Sequence, residues 1–167
     1  MRVGPPVSGP TSAGAASGGA PAPGVAPEAS AIDRATLLAY RETDYRVHDD
    51  PPFTMRVDAP CPALGAAHER AAVRSSAFVT ACNPLGRLLD AAANAALHEG
   101  LGRDLDARGL ARVEGLGLHR SSGWPGEPSY LVLGLESGPA RSLGAALRQN
   151  ALLVAGPDAV PRLVLLR

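Results

Sequence analysis

The sequence contains no lysine, so all 16 of its basic residues are arginine, and 16 acidic residues balance them. A net charge of zero argues against a general binder of nucleic acids or of anionic membranes, because both functions need a basic excess. The arginine occurs together with abundant Ala, Gly and Pro, a composition typical of proteins from GC-rich bacterial genomes. We therefore expect a bacterial protein that binds neither nucleic acid nor a membrane.

Cysteine and long apolar runs are also scarce. The two cysteines, Cys61 and Cys82, can form at most one bridge, which is unlike the disulfide framework of a small secreted protein. No apolar run approaches the ~20 residues of a membrane span, and the N-terminus lacks the apolar core of a signal peptide. These absences predict a soluble, cytoplasmic protein. A chain of 167 residues can bury a core without a metal or a disulfide.

Residues 1–30 differ in composition from the rest of the chain, since they consist mainly of Gly, Ala, Pro and Ser. Such a segment cannot bury enough apolar surface to offset its conformational entropy, so we predict a disordered tail. The tail is either a linker or partner-binding segment, or a neutral extension without function. Residues 31–167 are then expected to form a single α+β domain.

The beginning of this domain predicts a helix, a hairpin and a second helix. Asp33 suits the N-cap of a short helix. Alternating runs at residues 45–47 and 53–57 flank a turn rich in Asp and Pro, which predicts a β-hairpin. A weaker apolar pattern at residues 63–73 indicates another helix.

The remaining elements follow in β-α-β-β-α-β order with one added strand. They are predicted, in chain order, at residues 75–82 (strand), 85–108 (helix), 110–116 (strand), 130–135 (strand), 137–150 (helix), 151–154 (strand) and 162–166 (strand). This is the split β-α-β, or ferredoxin-like, order. The predicted fold class is α+β, with helices on one face of a mostly antiparallel sheet that the hairpin and the last strand extend.

The turn after the strand at residues 75–82 is the first candidate site. Thr80, Cys82 and Asn83 come directly before Pro84. Asn83 suits the N-cap of the long helix, with Pro84 in the first helical position. Alternatively, Asn83 presents a polar group at the end of a strand, where backbone N–H groups can hold a polar ligand. Cys82 is either a nucleophile or, like most buried cysteines, inert packing.

The second candidate site combines a Gly/Pro loop with the end of the last helix. Trp124, the only tryptophan, covers an edge of the core or stacks on a ligand, and Glu127 can act as an acid/base or a hydrogen-bond acceptor. Asn150 suits a helix C-cap, an explanation that does not extend to Gln149. The candidate ligand-binding residues are therefore Thr80, Asn83, Trp124, Glu127, Gln149 and Asn150.

No motif predicts a metal or a cofactor. The sequence has no phosphate-binding loop, dinucleotide fingerprint or nucleophile elbow. Its four histidines are scattered, and none has a second His or a Cys at metal-ligand spacing. We therefore predict neither a metal site nor a cofactor.

Three motifs occur in a fixed order, namely Ala77 to Pro84, then Trp124-x-x-Glu127-x-Ser129, and then Gln149-Asn150-Ala151. In these motifs the chain resembles a bacterial family of unknown function, DUF family 3293, over about residues 35–166. The family pattern places an Asn on the long helix, here Asn94, and follows it three residues later with Arg, where this chain has Leu97. The family has no assigned activity, so the resemblance implies candidate positions and no reaction.

Two classes of function remain. The first is a non-catalytic domain that binds a small molecule or a protein, consistent with the absence of a recognised catalytic set. The second is a small hydrolase or transferase that uses Glu127 with Asn83 and Gln149. Both predict that these three residues converge on one pocket, and placement on different faces would remove the basis of either site.

Deleting residues 1–30 should leave the melting temperature within about 2 °C of the full-length value, because a disordered segment contributes no buried surface. Thermal unfolding of the full-length and truncated chains tests this directly. A larger fall would show that the tail packs on the domain.

Overall fold

The structure is a computed structural model that describes residues 32–121 and 123–167. The predicted tail at residues 1–30 lies outside the described residues. Within the described ranges there are four α-helices and seven β-strands. The helices are α1 (Arg34–Glu42), α2 (Pro62–Arg70), α3 (Ala91–Ala107) and α4 (Ser137–Ala146). The strands are β1 (Thr43–Val47), β2 (Phe53–Met55), β3 (Ser76–Val79), β4 (Arg112–His119), β5 (Glu127–Leu133), β6 (Ala151–Ala155) and β7 (Arg162–Leu165).

The seven strands form one sheet in the order β2-β1-β4-β5-β3-β6-β7, and every neighbouring pair is antiparallel. β5 lies between β3 and β4, the two strands that α3 connects. β3 lies between β5 and β6, the two strands that α4 connects. The α+β class, the antiparallel sheet and the N-terminal hairpin are therefore confirmed. None of the helices in the described ranges is long and apolar enough to cross a membrane.

The core lies on both faces of the sheet. Every residue of β3 is buried, and its side chains alternate between the two faces. Ala77 and Val79 pack with apolar residues of α3 and α4, whereas Phe78 packs on the opposite face with Leu64 of α2. The prediction that the helices lie on one face is therefore wrong. Burial on both faces explains why β3 is an almost continuous apolar run.

The sheet is curled around Phe78. The Phe78 ring on β3 meets the Tyr45 ring on β1 edge-on, with centroids 5.6 Å apart, although β4 and β5 lie between these strands. At the two edges of the sheet, the Asp58 N–H after β2 donates to the Pro161 carbonyl before β7 at 2.8 Å. The face that bears Phe78 is therefore concave, and it faces the cavity described below.

The long helix begins later than predicted. α3 begins at Ala91, and the Asp90 side chain caps it by accepting the Ala93 N–H at 2.7 Å. The predicted start at residue 85 is wrong because Asn83 and Leu85 have φ values of 48° and 59°, which an α-helix cannot contain. The chain instead makes one 3₁₀ turn at Pro84–Gly86 before it reaches α3.

The last helix ends earlier than predicted. α4 ends at Ala146, with Leu147 at its C-cap, and Arg148 adopts the left-handed conformation at φ 57°. The prediction that Asn150 is the C-cap is therefore wrong, since Asn150 lies directly before β6. The N-cap of α4 is Glu136, and Ser137 is its first helical residue.

Gly115 on β4 leaves room for the Phe78 ring at the centre of the curl. A Cβ at residue 115 would lie 2.6 Å from Phe78 Cε2 and 2.7 Å from the Arg46 carbonyl oxygen. Gly115→Ala should therefore lower the free energy of unfolding by about 1–3 kcal/mol, measured by urea denaturation. Gly138→Ala is the control, because a Cβ at that helical position meets no atom within 4 Å and should leave stability unchanged or slightly raised. Equal effects of the two changes would contradict the close approach of Phe78 to residue 115.

Candidate functional site

Asn83 ends the β3 segment in a left-handed conformation and is almost completely buried, at 3% exposure. Its side chain caps no helix. Nδ2 donates to Glu127 Oε1 at 2.7 Å, and Oδ1 accepts the Leu89 N–H at 2.9 Å. The predicted role as N-cap of the long helix is therefore wrong. The side chain instead bonds Glu127 on β5 and the Leu89 N–H, and it accepts no backbone N–H of α3.

Asn94 on α3 holds Asn83 in this orientation through a reciprocal pair of hydrogen bonds. The Asn83 backbone N–H donates to Asn94 Oδ1 at 2.9 Å, and Asn94 Nδ2 donates to Asn83 Oδ1 at 2.9 Å. Because Asn83 Oδ1 already accepts two hydrogen bonds, only its Nδ2 is left for Glu127. The residue pattern alone did not mark Asn94 as a partner of Asn83, and its place in the family motif was the one signal that singled it out.

Glu127 is the first residue of β5, and its carboxyl group is held by two neutral donors. Oε1 accepts from Asn83 Nδ2 at 2.7 Å and from Trp124 Nε1 at 3.0 Å. Burial raises the pKa of Glu127, and the hydrogen bonds from Asn83 and Trp124 partly oppose this rise. Oε2 accepts no hydrogen bond from the described residues. The site therefore presents one oriented carboxyl oxygen that is open to a partner.

A cavity of about 520 Å³ opens beside this carboxyl group. That volume lies in the range of small-molecule sites in proteins. Five of the six candidate residues line it, namely Asn83, Trp124, Glu127, Gln149 and Asn150. The sixth, Thr80, does not; its hydroxyl donates to the Pro128 carbonyl at 2.9 Å and accepts the Cys82 N–H at 3.0 Å. Thr80 therefore links the end of β3 to the start of β5 by a hydrogen bond and does not contact the cavity.

Gln149 and Asn150 differ in how their amides are used. Gln149 Nε2 donates to the Cys82 carbonyl at 2.9 Å, which ties the end of α4 to the end of β3. Asn150 is 9% exposed, and its Oδ1 accepts no hydrogen bond within the described part of the chain. A buried acceptor without a donor costs about 1–3 kcal/mol. The unpaired Oδ1 of Asn150 is therefore the strongest indication that the cavity binds a hydrogen-bond donor.

Two tyrosines that the sequence did not mark complete the cavity wall. Burial raises the pKa of Tyr40 on α1; hydrogen bonding with Asn150 opposes the rise and the charge of Glu127 adds to it. Tyr45 on β1 donates its hydroxyl to the Tyr40 carbonyl at 2.8 Å, and burial raises its pKa as well. Both side chains are therefore neutral hydroxyls at physiological pH. The sequence around Tyr40 and Tyr45 predicts only a helix and a strand, so no local pattern identified them as cavity residues.

The site contains neither an activated thiol nor a set of metal ligands. Cys82 is buried, and its Sγ lies 3.8 Å from the Asn94 carbonyl oxygen and 3.7 Å from that of Pro128. Burial raises the pKa of Cys82, a hydrogen bond with Thr80 opposes this, and the charge of Glu127 raises it further. The thiol therefore stays protonated, which favours packing as its role. Nowhere in residues 32–121 and 123–167 do three or more His, Cys, Asp or Glu side chains group as metal ligands.

The fold and the site together define an α+β protein with a polar, carboxyl-bearing cavity on the concave face of its sheet. Residues 79–152 match the model of the family described as "Protein of unknown function (DUF3293)", which confirms the family resemblance. This segment contains Asn83, Asn94, Glu127 and Asn150, but it excludes α1 and β1. No curated protein and no solved structure matches the chain.

Asn83→Asp should lower the free energy of unfolding by about 1–3 kcal/mol at pH 7. The change replaces a buried hydrogen bond with a contact between two oxygen acceptors, neither of which has a proton to donate. The new carboxylate oxygen would face Glu127 Oε1, to which Asn83 Nδ2 now donates at 2.7 Å. Urea denaturation followed by circular dichroism measures the loss.

The matched control is a double-mutant cycle with Glu127→Gln. In the single variant the Gln amide oxygen can still accept from both Asn83 and Trp124, which now share Glu127 Oε1. In the double variant the amide can rotate to offer an N–H to the Asp at position 83, at the cost of the hydrogen bond from Trp124. Glu127→Gln alone should change stability little, and the double variant should recover part of the loss caused by Asn83→Asp. Strictly additive losses would show that residues 83 and 127 do not interact.

Proposed function

We propose that this protein is a non-catalytic domain that binds a small molecule in the cavity beside Glu127. The observation that carries the proposal is the Glu127 carboxyl group, fixed by Asn83 and Trp124 at the wall of a cavity of about 520 Å³. Its second oxygen has no partner among the described residues. A polar group that is oriented before a ligand arrives lowers the entropic cost of binding.

The arrangement of the strands supports this use of the fold. We infer that β3 to β6 with α3 and α4 form a ferredoxin-like unit, since the order β4-β5-β3-β6 with antiparallel neighbours fits it. The hairpin and α1 are additions to this unit, and they supply Tyr45 and Tyr40 to the cavity. The fold by itself carries no function, so the proposal rests on the cavity and its polar groups.

A specific observation favours one second candidate, a small hydrolase or transferase. The raised pKa of Glu127 suits a general acid or base. Asn83 would then position Glu127, and Asn150 would be the amide available to a reacting group. Gln149 does not serve in that role, because its Nε2 already donates to the Cys82 carbonyl. Turnover of a bound compound would distinguish this enzyme from the binding domain.

Gly117 on β4 offers a way to fill the cavity without touching its polar groups. It lines the cavity and lies opposite both Tyr45 and Glu127 in the sheet. A Cβ at residue 117 would have its nearest neighbours at 3.9 and 4.0 Å, so a side chain fits on this backbone. Directly opposed residues share a face of a sheet, and the Leu side chain of Gly117→Leu therefore enters the cavity.

Compounds from a metabolite library that raise the melting temperature of the wild type should fail to do so with Gly117→Leu. Ala111→Leu is the matched control, since residue 111 is exposed, lies just before β4 and does not line the cavity; it should respond like the wild type. Hits that are indifferent to Gly117→Leu, or a library without hits, would contradict the proposed function.

A further inference from the structure

We propose that the ligand is an organic ammonium ion with an aromatic or apolar body, whose N–H groups donate to Glu127 and Asn150. This inference rests on the proposed function and adds the chemical class of the ligand. It depends on three features of the cavity: an acidic group without a cation, a second acceptor without a donor, and aromatic walls.

Glu127 lacks a cationic partner. None of the ion pairs formed by the described residues includes it. Its two donors, the Asn83 amide and the Trp124 indole, are neutral, and both bond Oε1. A carboxylate that has lost part of its hydration is stabilised most by a charge-assisted hydrogen bond from a cation. A ligand ammonium group bonded to Oε2 would supply that charge.

Asn150 supplies the second acceptor on the same cavity wall. Its Oδ1 is buried and accepts no hydrogen bond from the described residues. Tyr40, Asn150 and Glu127 all line the cavity. Burial raises the pKa of Tyr40, hydrogen bonding with Asn150 lowers it and the charge of Glu127 raises it, in keeping with a position of both acceptors near this hydroxyl. An ammonium group has three donors and no acceptor, so it can satisfy both oxygens at once. An ionised carboxylate has no donor and would satisfy neither.

Aromatic side chains provide surfaces for the body of such a ligand. Tyr45, Phe78 and Trp124 line the cavity, and Trp124 is 41% exposed. Aromatic rings pack well against an apolar body, and their faces attract cations. The combination of a carboxylate with aromatic walls therefore favours an amine that carries an apolar group over a small hydrophilic ion.

Two basic side chains, His119 and Arg167, also line the cavity and make an anion the main competing ligand. His119 Nε2 lies 3.5 Å from Glu42 Oε2, so an acidic group already faces this ring. Arg167 is exposed to solvent, where water screens its charge. The half-buried Glu127 carboxylate is therefore the charge that interacts most strongly with a bound ligand.

Three probes that share a phenylalkyl body test the charge preference, namely phenethylammonium, 2-phenylethanol and 3-phenylpropionate. Because Trp124 is the only tryptophan and donates to Glu127, its fluorescence reports on the site during titration at pH 7. Phenethylammonium should bind at least about tenfold more tightly than either other probe, a ratio that corresponds to about 1.4 kcal/mol. Glu127→Gln should remove most of that advantage and leave 2-phenylethanol binding unchanged. Glu114→Gln, which changes an exposed carboxylate outside the cavity, should leave all three affinities unchanged.

The outcomes separate the ligand class from the proposed function. Equal or tighter binding of 2-phenylethanol or 3-phenylpropionate, abolished by Gly117→Leu, would overturn the ammonium proposal while supporting the cavity as a binding site. Phenethylammonium binding that survives Glu127→Gln undiminished would also overturn it. Failure of all three probes would overturn the ammonium proposal, and the metabolite screen with Gly117→Leu would decide separately whether the cavity binds any ligand.

Discussion

The hydrogen bond from Asn83 to Glu127 is the interaction on which the candidate site depends. The buried Asn83 side chain joins the end of β3 to the nearby turn before α3, to α3 itself and to the start of β5, which is 44 positions away in sequence. Asn94 and the Leu89 N–H occupy Asn83 Oδ1, so Nδ2 has one available direction. The Glu127 carboxyl group is therefore held in one orientation by the Asn83 amide, which is itself fixed, and by the Trp124 indole.

The curl of the sheet converts this oriented carboxyl group into part of a cavity. Phe78 lies across the position of Gly115, which has no side chain to obstruct it, and Tyr45 packs against the Phe78 ring. The hairpin is thereby brought towards the concave face, and α1 adds Tyr40 to the same wall. The family segment at residues 79–152 supplies the carboxyl and amide groups, whereas the N-terminal elements supply the phenol hydroxyls.

The strands and the hairpin were predictable because their signals are local. β3 and the second half of β5 are apolar runs, and β1 and β2 flank a turn rich in Asp and Pro. The polar first half of β5, which includes Glu127, was not predicted as strand. The start of α3 was not predictable, since Asn followed by Pro is compatible both with an N-cap and with a left-handed turn. The positive φ values of Asn83 and Leu85 decide between them. The face of the sheet that α2 covers was also not predicted, because the weak apolar pattern of α2 does not indicate which face of the sheet the helix packs on.

The sequence by itself determined the α+β class, the family resemblance and a short set of polar residues that contains Glu127 and Asn150. These features follow from periodicity, turn chemistry and motif order, which are properties of neighbouring residues. Only the tertiary structure decided that Asn83 donates to Glu127, that Gln149 is engaged by the Cys82 carbonyl and that Asn150 Oδ1 has no donor among the described residues. The two hydrogen bonds join segments that are distant in sequence and adjacent in the sheet, and the unpaired oxygen depends on which donors reach it in the folded chain. No local sequence pattern encodes either.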